Sequence, residues 1–159
     1  MFQYHNFPDF VNDKKLMRRL LEFSIEMNEP IYHSFLKCAK KYGENIESDR
    51  IFINSLVVME YDNKALVLGR KKTIIVNVPE VIHVSYIYVY KEYRKQGICV
   101  KLLKKLIYEN NGFISIACNN LIFEIMVKYK LPYVSLTLNT DGTMHVVYLK
   151  VLLYKTLSV

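Results

Sequence analysis

Long hydrophobic runs are missing from this chain of 159 residues, in which no apolar stretch approaches the roughly 20 residues that a membrane-spanning helix needs. We therefore expect no membrane partner. Repeats, linkers and low-complexity segments are missing as well, so we expect one domain over residues 1–159, long enough to bury a core. The hydrophobic share of 52% and the charged share of 23% exclude a disordered chain.

Cysteine is scarce. Cys38, Cys99 and Cys118 are an odd number without C-x-x-C spacing, which favours reduced thiols in a reducing compartment and hence a cytoplasmic protein. The first ten residues carry an acid and no basic segment, so we expect no secretory signal. The four histidines show no H-E-x-x-H motif or other clustered spacing, and we expect no metal site.

Acidic residues number 15 against 22 lysines and arginines, and the formal net charge is +7. An isoelectric point near 9.2 favours an anionic partner, such as nucleic acid, an acidic surface or a phosphorylated cofactor. The basic residues are scattered, so nucleic acid is possible but not favoured. The 13 tyrosines and 8 phenylalanines could stack on bases, but most occupy alternating strand positions, where packing explains them better.

The first half of the chain predicts helices followed by strands. A helix is expected from Asn12 or Asp13 to Met27, because its apolar residues recur on one face. A second helix, Ile31–Tyr42, is expected to end at Gly43. β-branched and apolar residues then predict three extended segments, at Arg50–Glu60, Ala65–Leu68 and Thr73–Val78.

The second half of the chain alternates strands and helices. The expected elements are a strand at Val81–Val89, a helix at Gly97–Glu109, a strand at Phe113–Cys118, a helix from Asn119 or Asn120 to about Lys130, and a hairpin of Tyr133–Leu138 with Thr143–Leu153. A strand–helix–strand unit forces one parallel pair. The sequence therefore predicts a mixed α/β (α+β) fold, with a mostly antiparallel sheet flanked by helices, a central strand–helix–strand unit and a C-terminal hairpin.

The junction Val89–Cys99, which reads V-Y-K-E-Y-R-K-Q-G-I-C, is the most informative segment. A strand passes through a short basic turn into a helix, whose first N–H groups lack partners and whose dipole adds positive charge. Such a junction holds phosphate, and Gly97 lets the backbone approach a ligand that a side chain would block. The alternative is an ordinary connection between a strand and a helix.

This segment resembles the GCN5-related N-acetyltransferases (GNAT), whose signature is a strand ending in V-x-P and a basic loop Q/R-x-x-G-x-G/A that opens a helix. Val89-Tyr90-Lys91 and Arg94-Lys95-Gln96-Gly97-Ile98-Cys99 match that spacing without a gap. Lys91 stands where the family has proline, and Cys99 stands where it has glycine or alanine. The order of elements is similar to the family over most of the chain.

The resemblance implies acyl transfer from acetyl-CoA to an amine, without a metal. Arg94 would help by its charge or by orienting the loop. The pantetheine arm would pair, like an added strand, with the end of the strand near Tyr88, Val89 and Tyr90. The pyrophosphate would lie on the backbone N–H groups of five successive residues, Lys95, Gln96, Gly97, Ile98 and Cys99.

Direct transfer needs a neutral amine, and therefore a base or a water relay to one. Where the family often carries a carboxylate on the strand before the loop, this chain has His83, and histidine titrates near neutral pH. Glu80 is a second candidate, and a histidine hydrogen-bonded at the sheet surface is the alternative. Strict alternation would place on one face, toward a substrate cleft, the residues His83, Ser85, Ile87 and Val89.

The family often has a tyrosine that acts as the general acid, within the pattern Y-x-K-x-G-F. The matching stretch, residues 128–133, has Lys128 at the tyrosine position and Tyr129 one residue away, about 100° round a helix. Either Tyr129 protonates the leaving thiolate, or no acid is used, or the protein is a degraded relative. Asn120 lies one residue from the position at which the family's asparagine touches the cofactor arm, and helix capping is its alternative role.

Four further questions stay open. Cys99 at a helix N-terminus allows a covalent acyl-enzyme. The same fold could also serve as a catalytically inactive module that binds CoA, protein or nucleic acid. The acceptor could be an amine of a small molecule or of a protein, and the exposed edge of the last hairpin strand allows a homodimer as well as a monomer.

Overall fold

A seven-stranded sheet organises the molecule. The computed structural model describes residues 1–72, 81–109, 114–118, 120–131, 135–138 and 144–148. The strands are β1 (Phe2–His5), β2 (Leu56–Tyr61), β3 (Ala65–Lys72), β4 (Val81–Val89), β5 (Ile114–Cys118), β6 (Ser135–Leu138) and β7 (Met144–Tyr148). In the order β1-β2-β3-β4-β5-β7-β6, every neighbouring pair is antiparallel except β4 and β5. The predicted mixed sheet is confirmed.

Within the same ranges, the helices are α1 (Phe7–Asn12), α2 (Lys14–Met27), α3 (Ile31–Gly43), α4 (Glu47–Asn54), α5 (Ile98–Glu109) and α6 (Asn120–Lys128). Helix α2 begins where predicted because the Oδ1 atom of Asp13 accepts hydrogen bonds from the N–H groups of Lys15 and Leu16 at 2.9 and 3.0 Å. It ends at Asn28, whose φ of 52° stops the helix. No helix in the described ranges has the length and apolar character needed to cross a membrane.

Two helices differ from the expectation. Helix α1 was not predicted, and it begins because the Asn6 side chain accepts a hydrogen bond from the N–H of Asp9 at 2.9 Å. Arg50–Glu60 was predicted to be extended throughout, but its first part belongs to α4 and the strand starts only at Leu56. Ile53 is the one buried side chain of α4, and two acids in the first turn favour its start. Two predicted features lie outside the described residues, the strand Thr73–Val78 and the hairpin turn at 139–142.

Helices cover both faces of the sheet. On one face, α5 and α6 pack against the strand residues Val57, Met59, Val67 and Val84. On the other face, α2 and its neighbours pack against Val58, Leu66, Leu68, Tyr88 and Tyr90. The C-terminal end of β4 therefore lies between two helical layers, with α2 on one side and α5 on the other.

A β-bulge interrupts the pairing of β3 with β4. Val84 is opposite Gly69, but Tyr86 is opposite Leu68, so Ser85 has no partner on β3. One extra residue in a strand reverses the alternation of side chains on its two sides. The bulge therefore changes which residues of β4 share a face.

The predicted alternation of β4 is wrong for this reason. Val84 packs in the same cluster as Ile87 and Val89, against α5 and α6. His83 is adjacent to Val84 and therefore lies on the opposite face. The shared face that strict alternation predicted for His83, Ile87 and Val89 does not exist, because the bulge at Ser85 intervenes.

Candidate functional site

The parallel strands β4 and β5 separate halfway along β4. Their pairing covers Ile82–Val84 and Ile114–Ile116. Beyond this point β4 continues to Val89, and no described residue pairs with it on that side. The separation leaves a strand edge to which an extended ligand can add.

A cavity of about 640 Å³ opens where the strands separate. Its walls are β4 from Val84 to Val89, the start of α5, the C-terminal part of α2 and the first half of α6. Most of the lining is apolar, and the charged side chains among the described lining residues are Glu26, Arg94 and Lys95. A cavity of this size and character suits a small organic ligand with few, localised charges.

The junction between β4 and α5 turns sharply beside this cavity. Lys95 and Gly97 have left-handed backbone conformations, with φ of 60° and 71°, immediately before α5 starts. The N–H groups of residues 95–100 donate to no acceptor in the described part of the chain, whereas the next one, of Lys101, donates to the carbonyl of Gly97 at 3.1 Å. Successive N–H groups in such a turn form a concavity that binds anions, and the dipole of α5 reinforces it.

Arg94 is held by α2. Its two terminal nitrogens donate to the two carboxylate oxygens of Glu26 at 2.6 and 2.9 Å, and its Nε donates to the carbonyl of Val89 at 3.0 Å. The hydrogen bond with Arg94 is the main cause that lowers the pKa of Glu26, and the same bond raises the pKa of Arg94. Arg94 therefore connects the loop to α2 and to the end of β4.

Most of the residues predicted to hold a cofactor line the cavity, namely Tyr88, Val89, Arg94, Lys95, Gly97, Ile98 and Cys99. Tyr90 does not, because its side chain is fully buried and its hydroxyl donates to the Oε2 of Glu60 at 2.5 Å. Gln96 donates instead to the carbonyl of Glu92 at 3.3 Å. Asn120 is the first residue of α6, and its side chain lies outside the described part of the chain.

The two predicted catalytic residues do not line the cavity. His83 is 8% exposed and lies on β4 before the point at which the strands separate. Tyr129 follows the end of α6 and is 44% exposed, with the Nζ atoms of Lys104 and Lys128 at 5.8 and 5.5 Å from its ring centre. Glu80 lies outside the described residues. The roles of His83 and Tyr129 stay predictions.

Cys99 lines the cavity as the second residue of α5. Burial raises the pKa of its thiol to about 11. The thiol is therefore neutral near pH 7, which disfavours the covalent acyl-enzyme alternative, since the thiolate is the nucleophile. In the described ranges, no three His, Cys, Asp or Glu residues converge to form a metal site.

Sequence reasoning missed the contribution of α2 to the site. Phe23, Glu26 and Met27 line the cavity, and none of the three was predicted to belong to the site. Arg94, the partner of Glu26, is 68 positions away in the sequence, and no local sequence pattern predicts such a contact. Tyr86 also lines the cavity, on the side of α2, where its ring packs edge-on against Phe23 at 5.5 Å between ring centres.

The fold agrees with comparisons to known proteins. A putative acetyltransferase of the GNAT family from Desulfovibrio desulfuricans has a TM-score of 0.52 at 11% identity, covering 93% of this chain and 96% of that one. NAA60 of Arabidopsis thaliana, solved with a bisubstrate analogue, has a TM-score of 0.51 at 12% identity, covering 93% and 98%. A GNAT-family acetyltransferase from Listeria monocytogenes has a TM-score of 0.50 at 13% identity, covering 92% of each chain. A search of curated proteins gave no match.

These structural similarities, all below 25% identity, show the fold. The family follows from a separate comparison, in which the model of the acetyltransferase (GNAT) family matches residues 17–121, well over half of the chain. The matched segment runs from α2 to the start of α6 and so includes most of the described cavity wall. The family model and the fold agree, and the chain belongs to the acetyltransferase (GNAT) family.

Proposed function

We propose that this acetyltransferase moves an acetyl group from acetyl-CoA to an amine of a small molecule or a protein. Three features support the proposal, and the decisive observation is that all three lie together at one end of β4. They are N–H groups without acceptors among the described residues at positions 95–100, a cavity of about 640 Å³, and an open strand edge beyond Val84. A diphosphate joined to an extended, amide-bearing arm with a terminal thioester matches all three.

The junction suits the diphosphate in charge and in shape. Lys95 lines the cavity, and the start of α5 adds partial positive charge. A β-carbon placed at Gly97 would meet no protein atom within 4 Å, so a side chain there would project into open space beside the loop. An aspartate at this position would therefore repel a bound phosphate without a clash inside the protein.

The arm would add to β4 as an extra strand. Its amides would find the main-chain groups of residues 85–89 that β5 leaves unpaired. The carbonyl of Val89 already accepts a hydrogen bond from Arg94, so the pairing would begin before that residue. The thioester would then lie deeper along β4, near Ser85 and Tyr86, which line the cavity.

The reaction forms a bond from the amine nitrogen to the acetyl carbon and breaks the carbon–sulfur bond, so the amine loses a proton and the thiolate gains one. Tyr86 and Tyr88 line the cavity, and burial is the main cause that raises the pKa of each phenol. Both stay protonated near pH 7 and can donate a proton but not accept one. Glu26 is held as a carboxylate by Arg94.

A base must therefore be reached through water, and we propose His83 for this role, with Tyr129 as the acid expected from the sequence. Neither residue lines the cavity, whereas Tyr86 does and is therefore a rival for the acid role. A rate that falls in Tyr86→Phe but not in Tyr129→Phe would transfer the acid role to Tyr86. A rate unchanged in His83→Ala would remove the base role.

Two observations favour a second candidate, a binding module without turnover. Lys128 occupies the position expected for the acidic tyrosine, and both predicted catalytic side chains lie outside the cavity lining. This candidate predicts binding of CoA without release of free thiol from acetyl-CoA in the presence of any amine. Thiol release with one amine of a panel would exclude it.

Calorimetric titration with CoA and acetyl-CoA tests the proposal. We expect saturable binding by the wild type and none by Gly97→Asp, whose fold should persist because aspartate tolerates the left-handed conformation better than most residues. Gly43→Asp is the matched control, because Gly43 ends α3 and a β-carbon placed there would likewise meet no atom within 4 Å. Absence of binding heat with millimolar CoA would overturn the proposed function.

A further inference from the structure

Helix α2 contacts the junction through two ion pairs of opposite polarity. Arg19 pairs with Glu92, and Glu26 pairs with Arg94. Positions 19 and 26 are two helical turns apart and so lie on the same face of α2. Glu92 and Arg94 flank Tyr93, just before the left-handed turn. These four residues, Arg19, Glu26, Glu92 and Arg94, are called the α2 clamp below.

The half of the clamp nearer the cavity ties three elements together. Arg94 forms a two-point contact with Glu26, at 2.6 and 2.9 Å, while its Nε holds the carbonyl of Val89 at the end of β4. The hydroxyl of Tyr88 donates to the same carboxylate at 3.3 Å. The cavity lining includes Glu26, Tyr88, Val89 and Arg94. Paired donors on a carboxylate fix direction as well as distance.

The other half of the clamp lies over Tyr90. The guanidinium of Arg19 stands 4.2 Å from the centre of that ring and also pairs with Glu22 at 3.1 Å. The side chain of Arg19 is only 21% exposed. Because Tyr90 is fully buried, this half joins the short turn containing Glu92 to the core of the sheet.

We propose that the α2 clamp preorganises the loop at residues 95–100 for the acyl donor, with Glu26 and Arg94 as positioning residues. The inference rests on the proposed function and deepens it, because it assigns Arg94 to holding the loop and not to contacting phosphate. A loop fixed before binding loses less conformational entropy when the ligand arrives, so the clamp lowers the dissociation constant for CoA. It also couples α2, whose Phe23 and Met27 line the cavity, to the phosphate end of the site.

A double-mutant cycle tests the assignment. The dissociation constant for CoA is measured for the wild type, Glu26→Gln, Arg94→Gln and the double variant. We expect Glu26→Gln to weaken binding about fivefold to tenfold, as for a partly buried two-point ion pair. The double variant should bind about as well as either single variant, because Arg94 acts through Glu26. Binding by Glu26→Gln as tight as the wild type, or tighter, would show that Arg94 can serve phosphate directly and would overturn the assignment.

Asp49→Asn is the matched control. It removes the same charge and breaks an ion pair with Lys41, 3.6 Å long, between α3 and α4. Neither residue lines the cavity. We expect the affinity of this variant for CoA to stay at the wild-type value. If Asp49→Asn loses as much affinity for CoA as Glu26→Gln does, the effect comes from a general change in charge or stability and not from the α2 clamp.

A second measurement needs no ligand. Backbone ¹⁵N order parameters of residues 95–100 report fast motion of the loop, and we expect them to fall in Glu26→Gln and not in Asp49→Asn. Order parameters unchanged in Glu26→Gln would contradict the clamp. In the catalytic assay, the KM for acetyl-CoA should rise while kcat is retained. If the wild type itself binds no CoA, the proposed function fails, while the order parameters still decide whether the clamp fixes the loop.

Discussion

Gly69 of β3 lies so close to His83 of β4 that a β-carbon at position 69 would stand 2.3 Å from the His83 carbonyl oxygen. The next two contacts, at 3.1 and 3.2 Å, are also with backbone atoms of β4. The clash could therefore not be relieved by the movement of a side chain. The approach adjoins the bulge at Ser85. Glycine is required here by the proximity of a neighbouring backbone, which is a recurrent reason for glycine in a strand interior.

We expect Gly69→Ala to lower the free energy of unfolding by about 1–3 kcal/mol, the range for overpacking a well-packed site. Urea unfolding near pH 7 measures the change. The control is Gly43→Ala, since Gly43 lies in α3 and an added β-carbon there would have no atom within 4 Å. Alanine in a helix favours stability by up to about 1 kcal/mol over glycine. Equal effects of the two substitutions would contradict the explanation.

Tyr90→Phe removes the hydroxyl that donates to Glu60 at 2.5 Å. Glu60 is 3% exposed, so its carboxylate would lose a donor in a place that water hardly reaches. We expect a loss of about 1–3 kcal/mol in the free energy of unfolding, the cost of leaving a buried polar group without its partner. Tyr4→Phe, at a position that is 61% exposed, should change stability far less in the same unfolding assay. A neutral result for Tyr90→Phe would show that Glu60 finds another donor.

Local signals made much of the fold predictable from the sequence. Asp13 caps α2, Asn28 ends it, and the apolar repeat of α5 gives its limits to within one residue. The strand before α5 and the glycine turn between them also follow from residues that are adjacent in the chain. For these elements, neighbouring residues supply the deciding interactions, and a single sequence contains them all.

Contacts between distant segments could not be predicted in the same way. The bulge at Ser85 depends on how β4 meets Gly69 of another strand, and it reversed the expected faces of β4. The pair of Glu26 with Arg94 joins residues 68 positions apart, each of which also suits a solvent-exposed surface. The sequence therefore located the turn between β4 and α5 but not the helix that contacts it.

Labelling of Cys99 should report the occupied site. Because burial raises the pKa of this thiol to about 11, we expect slow alkylation by iodoacetamide near pH 7 and a rate that rises about tenfold per pH unit below that pKa. CoA should slow the reaction at Cys99 but not at Cys38, which lies in α3 and whose pKa is also raised by burial. Mass spectrometry of the labelled peptides separates the two sites. An unchanged rate at Cys99 with saturating CoA would place the donor elsewhere.

The ion pair of Glu26 with Arg94 should make stability depend on pH. The hydrogen bond with Arg94 lowers the pKa of Glu26 in the folded state, so the unfolded chain takes up this proton at a higher pH than the folded one. The stabilisation is therefore fully present above the ordinary carboxyl pKa of about 4.3 and is lost as the pH falls through the lowered value. The urea midpoint of Glu26→Gln should lie below that of the wild type near pH 7, and the gap should be narrower near pH 3, which is below the ordinary carboxyl pKa of about 4.3. The side chain of Glu26 is 29% exposed, so high salt should also narrow the gap near pH 7. If the urea midpoints of Glu26→Gln and the wild type differ by the same amount at both pH values, the substitution destabilises the protein through its shape, and the charge of Glu26 contributes nothing.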